Sequence, residues 1–181
     1  MKTEGNAFTR FLQRKNIVFS AKRYGIDALG AMARGLFAPL LIGTIIATLG
    51  EQAGIPFLVT AGGYAKAVSG PAMAISIGYA LQAPQLVLFS LLAVGQAANE
   101  LGGAGGPLAV LVVTIFAAES GKAISKETKI DILATPLVTI LVGTILSVWW
   151  APSIGAAASS VGQLIMWATD LQPFFMGIFV S

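Results

Sequence analysis

Residues 130–150 read IDILATPLVTILVGTILSVWW, a stretch with a single charge, Asp131, and a closing pair of tryptophans. As a helix it extends about 31 Å at 1.5 Å per residue, the thickness of a bilayer's hydrocarbon core. Tryptophans collect where that core meets water. The rest of the chain agrees: 56% of its 181 residues are apolar and 10% charged, where soluble domains carry roughly 25% charged residues. A soluble fold does not hide that much apolar surface. The expected class is therefore an all-α, polytopic membrane protein.

Charge is confined to two places. Nine charged residues lie in residues 1–34 and six between Glu119 and Asp131, leaving Glu51, Lys66, Glu100 and Asp170 elsewhere. Seven of the 11 Lys and Arg lie in the first 34 residues beside apolar segments, which reads as a topology signal and not as a nucleic-acid surface. The chain has no Cys and no His, so thiolate or imidazole catalysis, disulfides and zinc or copper sites of the His/Cys kind are excluded. No cofactor is expected. An enzyme reading fails further because the carboxylates are isolated, with no partner at helical spacing.

Residues 1–25 form a basic segment in which Phe8, Phe11, Leu12, Val18 and Phe19 recur at helical spacing among Arg10, Arg14, Lys15, Lys22 and Arg23. It predicts an amphipathic helix lying on an anionic membrane face. The recurring cations argue against a cleaved signal peptide, so the segment is expected to be retained. The first span is Ile26–Leu49, with Asp27 and Arg34 two turns apart on one face, expected at the cytoplasmic interface or, alternatively, lining an interior. Beyond Glu51 the apolar runs Ile55–Val68, Pro71–Leu81 and Pro84–Ala98 are short, and Ser69-Gly70-Pro71 and Gln82-Ala83-Pro84 separate them. These junctions predict helix breaks, or alternatively interfacial turns. Breaks at membrane depth are tolerated where they face protein or a water-filled cavity.

Gly102, Gly103, Gly105 and Gly106 end one helix, and Pro107 starts the next. Lysines at 122, 126 and 129 mark the following loop as cytoplasmic. Residues 151–169 are small and suited to close packing. Parity then gives an N-in protein with about five complete spans and a partial sixth, a stub from Leu171 too short to cross, so the chain reads as stopping inside an element. Small-xxx-small pairs among Gly43, Ala47, Gly102, Gly106, Ala117 and Gly121 predict close helix approach within the chain or between chains. The stretch LLIGTII at 40–46 is echoed by ILVGTIL at 140–146, and Leu81-Gln82-Ala83-Pro84 by Leu171-Gln172-Pro173. This is a candidate parallel repeat, predicting that 36–90 superposes on 136–181.

Three stretches, AKRYGIDALG at 21–30, GPAMA at 70–74 and GQLIMWATDLQP at 162–173, resemble the bacterial IIC-type membrane components of the sugar phosphotransferase system. The resemblance runs from about Phe11 to Ser181, and the last stretch is the most specific. It implies a transmembrane IIC-like domain over 26–181, sugar transport coupled to phosphorylation, and location in the bacterial inner membrane. Family members are longer, so the resemblance makes this chain an N-terminal half or a truncated relative. A phosphotransfer relay needs a His or Cys, so it would sit on partner phosphotransfer subunits.

Candidate solute-binding residues follow from polarity in apolar surroundings. Gln96, Asn99 and Glu100 combine two amides with a carboxylate, suited to sugar hydroxyls, a proton or a cation, or else simply meeting water at the outer interface. Gln82 and Gln85 flank the first break, and Asp170 and Gln172 the second, where they either converge near the midplane or cap helix ends. Glu119 and Lys122 are expected to form a cytoplasmic ion pair. Lys66 is expected to snorkel. The expected partners are membrane lipid, a small polar solute such as a sugar, and a second copy forming a homodimer; no nucleic acid is expected. The alternative function is a non-transporting regulator or assembly module that keeps the transporter fold.

Overall fold

The computed structural model describes residues 7–17, 20–127 and 130–171. Among the described residues all regular structure is helical. After a short helix α1 (Ala7–Arg14), the segment from Lys22 to Ala53 is one uninterrupted helical rod, about 48 Å long. Within it, α2 (Ala28–Leu36) and α3 (Ile42–Ala53) alternate with two π-helical stretches, Lys22–Asp27 and Phe37–Leu41. The second contains Pro39, whose ring removes one backbone donor and locally widens the turn.

The rod reverses at Gly54, whose φ of +66° is the left-handed conformation that glycine adopts without a steric penalty. Pro56 then opens α4 (Pro56–Ala67), and after a break at Val68 the chain continues as α5 (Ser69–Ala80). Together α4 and α5 run back along the first rod. A Cβ on Gly50 would lie 2.7 Å from the Val59 nitrogen, one on Gly43 3.0 Å from the Gly62 carbonyl, and one on Gly35 2.6 Å from the Ala72 carbonyl.

A second hairpin follows: α6 (Gln85–Gly102), a 3-10 turn at Gly103–Gly105, and α7 (Gly106–Ile124). Gly102 faces Ala109, and Gly121 faces Val87 at the other end, which fixes the two helices as antiparallel. Finally α8 (Asp131–Leu171) runs beside α6 in the same direction, with Gly143 against Val94 and Gly155 against the Gly102 carbonyl. The buried core lies between α2, α5, α6 and α7 and includes Met73, Ile77, Leu91, Val94 and Val113.

Three stretches are long and apolar enough to cross a membrane: Lys22–Ala53, Gln85–Ile124 and Asp131–Leu164. The middle one is folded in two by its glycine turn, and α4 with α5 forms a further, broken rod. The exposed face of α8 carries Leu137, Leu141, Ile145 and Val148, each worth about 1.5–3 kcal/mol if removed from water. Such a face belongs in lipid or against another apolar surface, and the protein is membrane-embedded.

Two expectations change. The helix does not end at the tryptophan pair, although Trp149 is 71% exposed; α8 continues through Pro152 to Leu171. Small residues explain this, because Gly155 and Ala158 let α8 pack against Gly102 and Gly105 at the tip of the second hairpin. The candidate repeat is not reproduced in the described residues. The stretches at 40–46 and 140–146 do run in the same direction, but the first turns back at Gly54 while its counterpart stays inside one continuous helix. The helix break foreseen at Ser69-Gly70-Pro71 is present, one residue earlier, at Val68. The junction at 82–84 is a reversal between rods at the cation-rich end of the bundle.

Candidate functional site

At that end Lys122 is only 2% exposed. An ammonium has three protons to place, and its Nζ donates to the carbonyls of Asn16 (3.0 Å) and Leu81 (3.1 Å) and to Glu119 Oε1 (3.0 Å), with Glu119 Oε2 2.9 Å away. Tyr24 donates its hydroxyl to the same Glu119 oxygen at 3.0 Å. Arg23 Nη2 donates to the Leu81 carbonyl at 2.5 Å and Nη1 to Asn16 Oδ1 at 3.2 Å. The expected ion pair Glu119–Lys122 is present, and it is a largely buried junction that ties the N-terminal segment, the 81–84 turn and α7 together. Burial makes each contact count for more and a missing partner cost more.

Around this junction lie two clefts, of about 400 and 380 Å³, that share Asn16 and Gln82. The Asn16 amide donates to Gln82 Oε1 and so divides them. The larger cleft is lined by Arg14, Lys15, Lys122, Lys126 and Glu127 among others. Asn16, Gln82 and Lys126 have φ of 55°, 55° and 63°, the left-handed conformation that costs a non-glycine residue about 1 kcal/mol or more. Among the described residues no other non-glycine residue has positive φ, and all three line this one cleft. Asn16 and Gln82 are helix stops, the Ile17 N–H donating to the Leu12 carbonyl at the end of α1 and the Ala83 N–H to the Gly78 carbonyl at the end of α5.

Helix α1 is fastened over the cleft by Glu127, which pairs with Lys15 at 2.8 Å and Arg14 at 2.9 Å. Lys15 also donates to the Ser125 carbonyl. The Lys15 hydrogen bond, then the charges of Lys15 and Arg14, hold the Glu127 carboxyl below its ordinary range. A depressed carboxylate stabilises the folded state above the ordinary glutamate value of about 4.3, and that contribution is lost as pH falls through the lower folded value. The docking of α1, followed by anisotropy of a fluorophore at the exposed Thr9, is therefore expected to stay constant from neutral pH to about pH 5 and to fall only below it. Release beginning above that point would mean another group holds α1.

The sequence-predicted site residues fall into separate groups. Gln82 lies in the strained cleft, and Gln85 begins α6 one turn further on. Gln96 and Glu100 are bonded to each other, Nε2 to Oε1 at 2.5 Å, near the other end of α6. Asn99 is beside them and packs against both Gly70, at the α4–α5 break, and Gly106. Asp170 is in the last turn of α8, about 58 Å along that helix from Asp131. Asp170 and Gln82 thus lie toward opposite ends of the bundle, and the second break expected at Leu171-Gln172-Pro173 falls at the limit of the described residues. Gln172 lies outside the described residues. Sequence reasoning missed Asn16, Arg23 and Tyr24, whose roles arise from contacts across 58 to 106 residues of chain.

The residues from 26 to 181 match the family model described as Phosphotransferase system, EIIC. The chain belongs to this family. EIIC proteins are the membrane transporter components of phosphotransferase systems and not catalysts in themselves. The matched region begins just after the basic N-terminal segment and includes Glu119, Lys122 and the α4–α5 break. No curated protein and no solved structure matches the chain.

Proposed function

We propose that this EIIC protein moves a small polar solute, a sugar, across the bacterial inner membrane, with its N-terminus in the cytoplasm and its five antiparallel rods crossing the bilayer. The orientation rests on the cations: Arg14, Lys15, Arg23, Lys122 and Lys126 all gather at one end of the bundle, where the positive-inside tendency assigns the cytoplasm. Phosphoryl carriers belong to partner subunits, since this chain has no His or Cys.

The observation that carries the reading is the break at Val68 lying against the amide and carboxylate cluster of α6. Gly70 packs on Asn99 and Gly95, and the bonded pair Gln96–Glu100 lies beside Asn99 on an exposed face of the same turn. A broken helix beside two amides and a carboxylate offers donors and acceptors suited to sugar hydroxyls. Hairpin α3–α4 runs on for about 18 Å beyond the break, so the cluster sits part-way up the first hairpin and not at its tip.

Uptake into proteoliposomes across a sugar panel tests the proposal. At least one sugar is expected to accumulate, and Asn99→Ala and Glu100→Gln are expected to lower its uptake about tenfold or more while the melting temperature stays within a few degrees. Silence across the panel, or uptake indifferent to both variants, would refute the transport site. A stoichiometric protein partner co-purifying without solute flux would favour a membrane regulator that kept the fold.

A further inference from the structure

We infer that the cleft beneath α1 binds a phosphate group, held by Arg14, Lys15 and Lys126 in place of the Glu127 carboxylate. Among the described residues four cations line this cleft, Arg14, Lys15, Lys122 and Lys126, against one carboxylate, that of Glu127. One of the four, Lys122, is fully engaged with the Asn16 and Leu81 carbonyls and with Glu119. Of the other three, Lys15 also donates to the Ser125 carbonyl. Two of them now share Glu127, whose side chain is 40% exposed. An arginine and a lysine meeting on one carboxylate oxygen is an arrangement a tetrahedral oxyanion replaces with more acceptors and more charge.

The backbone supports the same assignment. Lys126 is held left-handed, with φ of 63°, while its N–H donates to Asp131 Oδ1 at 2.8 Å, and Asp131 in turn accepts from the Thr135 hydroxyl at 2.5 Å. The start of α8 thereby pins Lys126 at the rim of the cleft. Asn16 and Gln82, also left-handed, form its back wall and supply amide groups. The volume of about 400 Å³ accommodates a phosphate with its substituent.

A phosphate here has two sources, the headgroup of an anionic phospholipid at the bilayer surface or a soluble phosphate. The inference concerns a surface separate from the proposed solute site at Asn99 and Glu100, and its test does not depend on transport. The whole chain would be reconstituted in nanodiscs of mixed phosphatidylglycerol and phosphatidylethanolamine, with lipids retained after release counted by native mass spectrometry. In parallel, inorganic phosphate would be titrated against the protein in neutral detergent, following the fluorophore at Thr9.

The decisive variant is Glu127→Gln. If Glu127 only fastens α1, its loss loosens the cleft and lowers retention. If it occupies a phosphate position, its loss raises affinity, by about fivefold, while Arg14→Gln and Lys126→Gln lower it by a similar factor. Arg34→Gln, at an exposed position of α2 that lines a different cleft, is the control and leaves binding unchanged. Preferential retention of phosphatidylglycerol with no response to inorganic phosphate identifies the lipid source, and saturable response to inorganic phosphate identifies the soluble one. Either supports the inference. Weaker binding in Glu127→Gln, equal losses in Arg34→Gln, or no selectivity for either probe in the unaltered protein would overturn it.

Discussion

Lys122→Met is expected to lower the apparent melting temperature in detergent by roughly 10 °C, the equivalent of about 3–5 kcal/mol for a chain of this size. The variant leaves the Glu119 carboxylate largely buried without its counter-charge, and it strips the carbonyls of Asn16 and Leu81 of the donor they share. An uncompensated buried charge is the costly part of that loss. The double variant Lys122→Met with Glu119→Gln removes both charges, keeps an acceptor for the Tyr24 hydroxyl, and is expected to recover part of the stability. Monodispersity after heating provides the readout. A single variant as stable as the unaltered protein would show that Lys122 is solvated and that the junction does not hold the N-terminal segment to the bundle.

Gly62→Leu and Gly63→Leu differ by one position on α4 and are expected to behave in opposite ways. A Cβ on Gly62 would lie 2.4 Å from the Gly43 carbonyl and 2.6 Å from the Ala47 nitrogen, contacts no side chain can make without moving α3 away from α4. Nothing lies within 4 Å of a Cβ on Gly63. Overpacking against backbone costs about 3 kcal/mol or more, whereas the exposed site is expected to change stability by less than about 1 kcal/mol, with helix propensity favouring leucine. The same melting measurement decides between them. Equal destabilisation would mean that the close crossing of α3 and α4 at Gly43 and Gly62 is absent, and with it the first hairpin.

These variants mark where sequence reading ends. The helices themselves follow from local causes: the glycine turn before Pro107, the Pro56 start of α4 after Gly54, and the long apolar runs ending in charged loops. Each depends on the residues beside it in the chain, so a one-dimensional reading reaches it. The cluster of Gln96, Asn99 and Glu100 was legible for the same reason, since its members share one helix turn.

The fate of α8 was not legible. The tryptophan pair suggests an end, yet the helix continues because Gly155 and Ala158 meet the tip of a hairpin formed some fifty residues earlier. The Lys122 junction is similar: the i,i+3 spacing to Glu119 reveals an ion pair, but its burial depends on the Leu81 carbonyl and on Asn16 arriving from far along the chain. Apolar length, glycine and proline placement and the grouping of cations determined by themselves that this is a helical membrane protein and where most of its rods begin and end. Which polar groups from different helices share a site was decided only by the tertiary structure, because in so apolar a chain a polar side chain's partner on another helix is set by which helices can approach through their glycines.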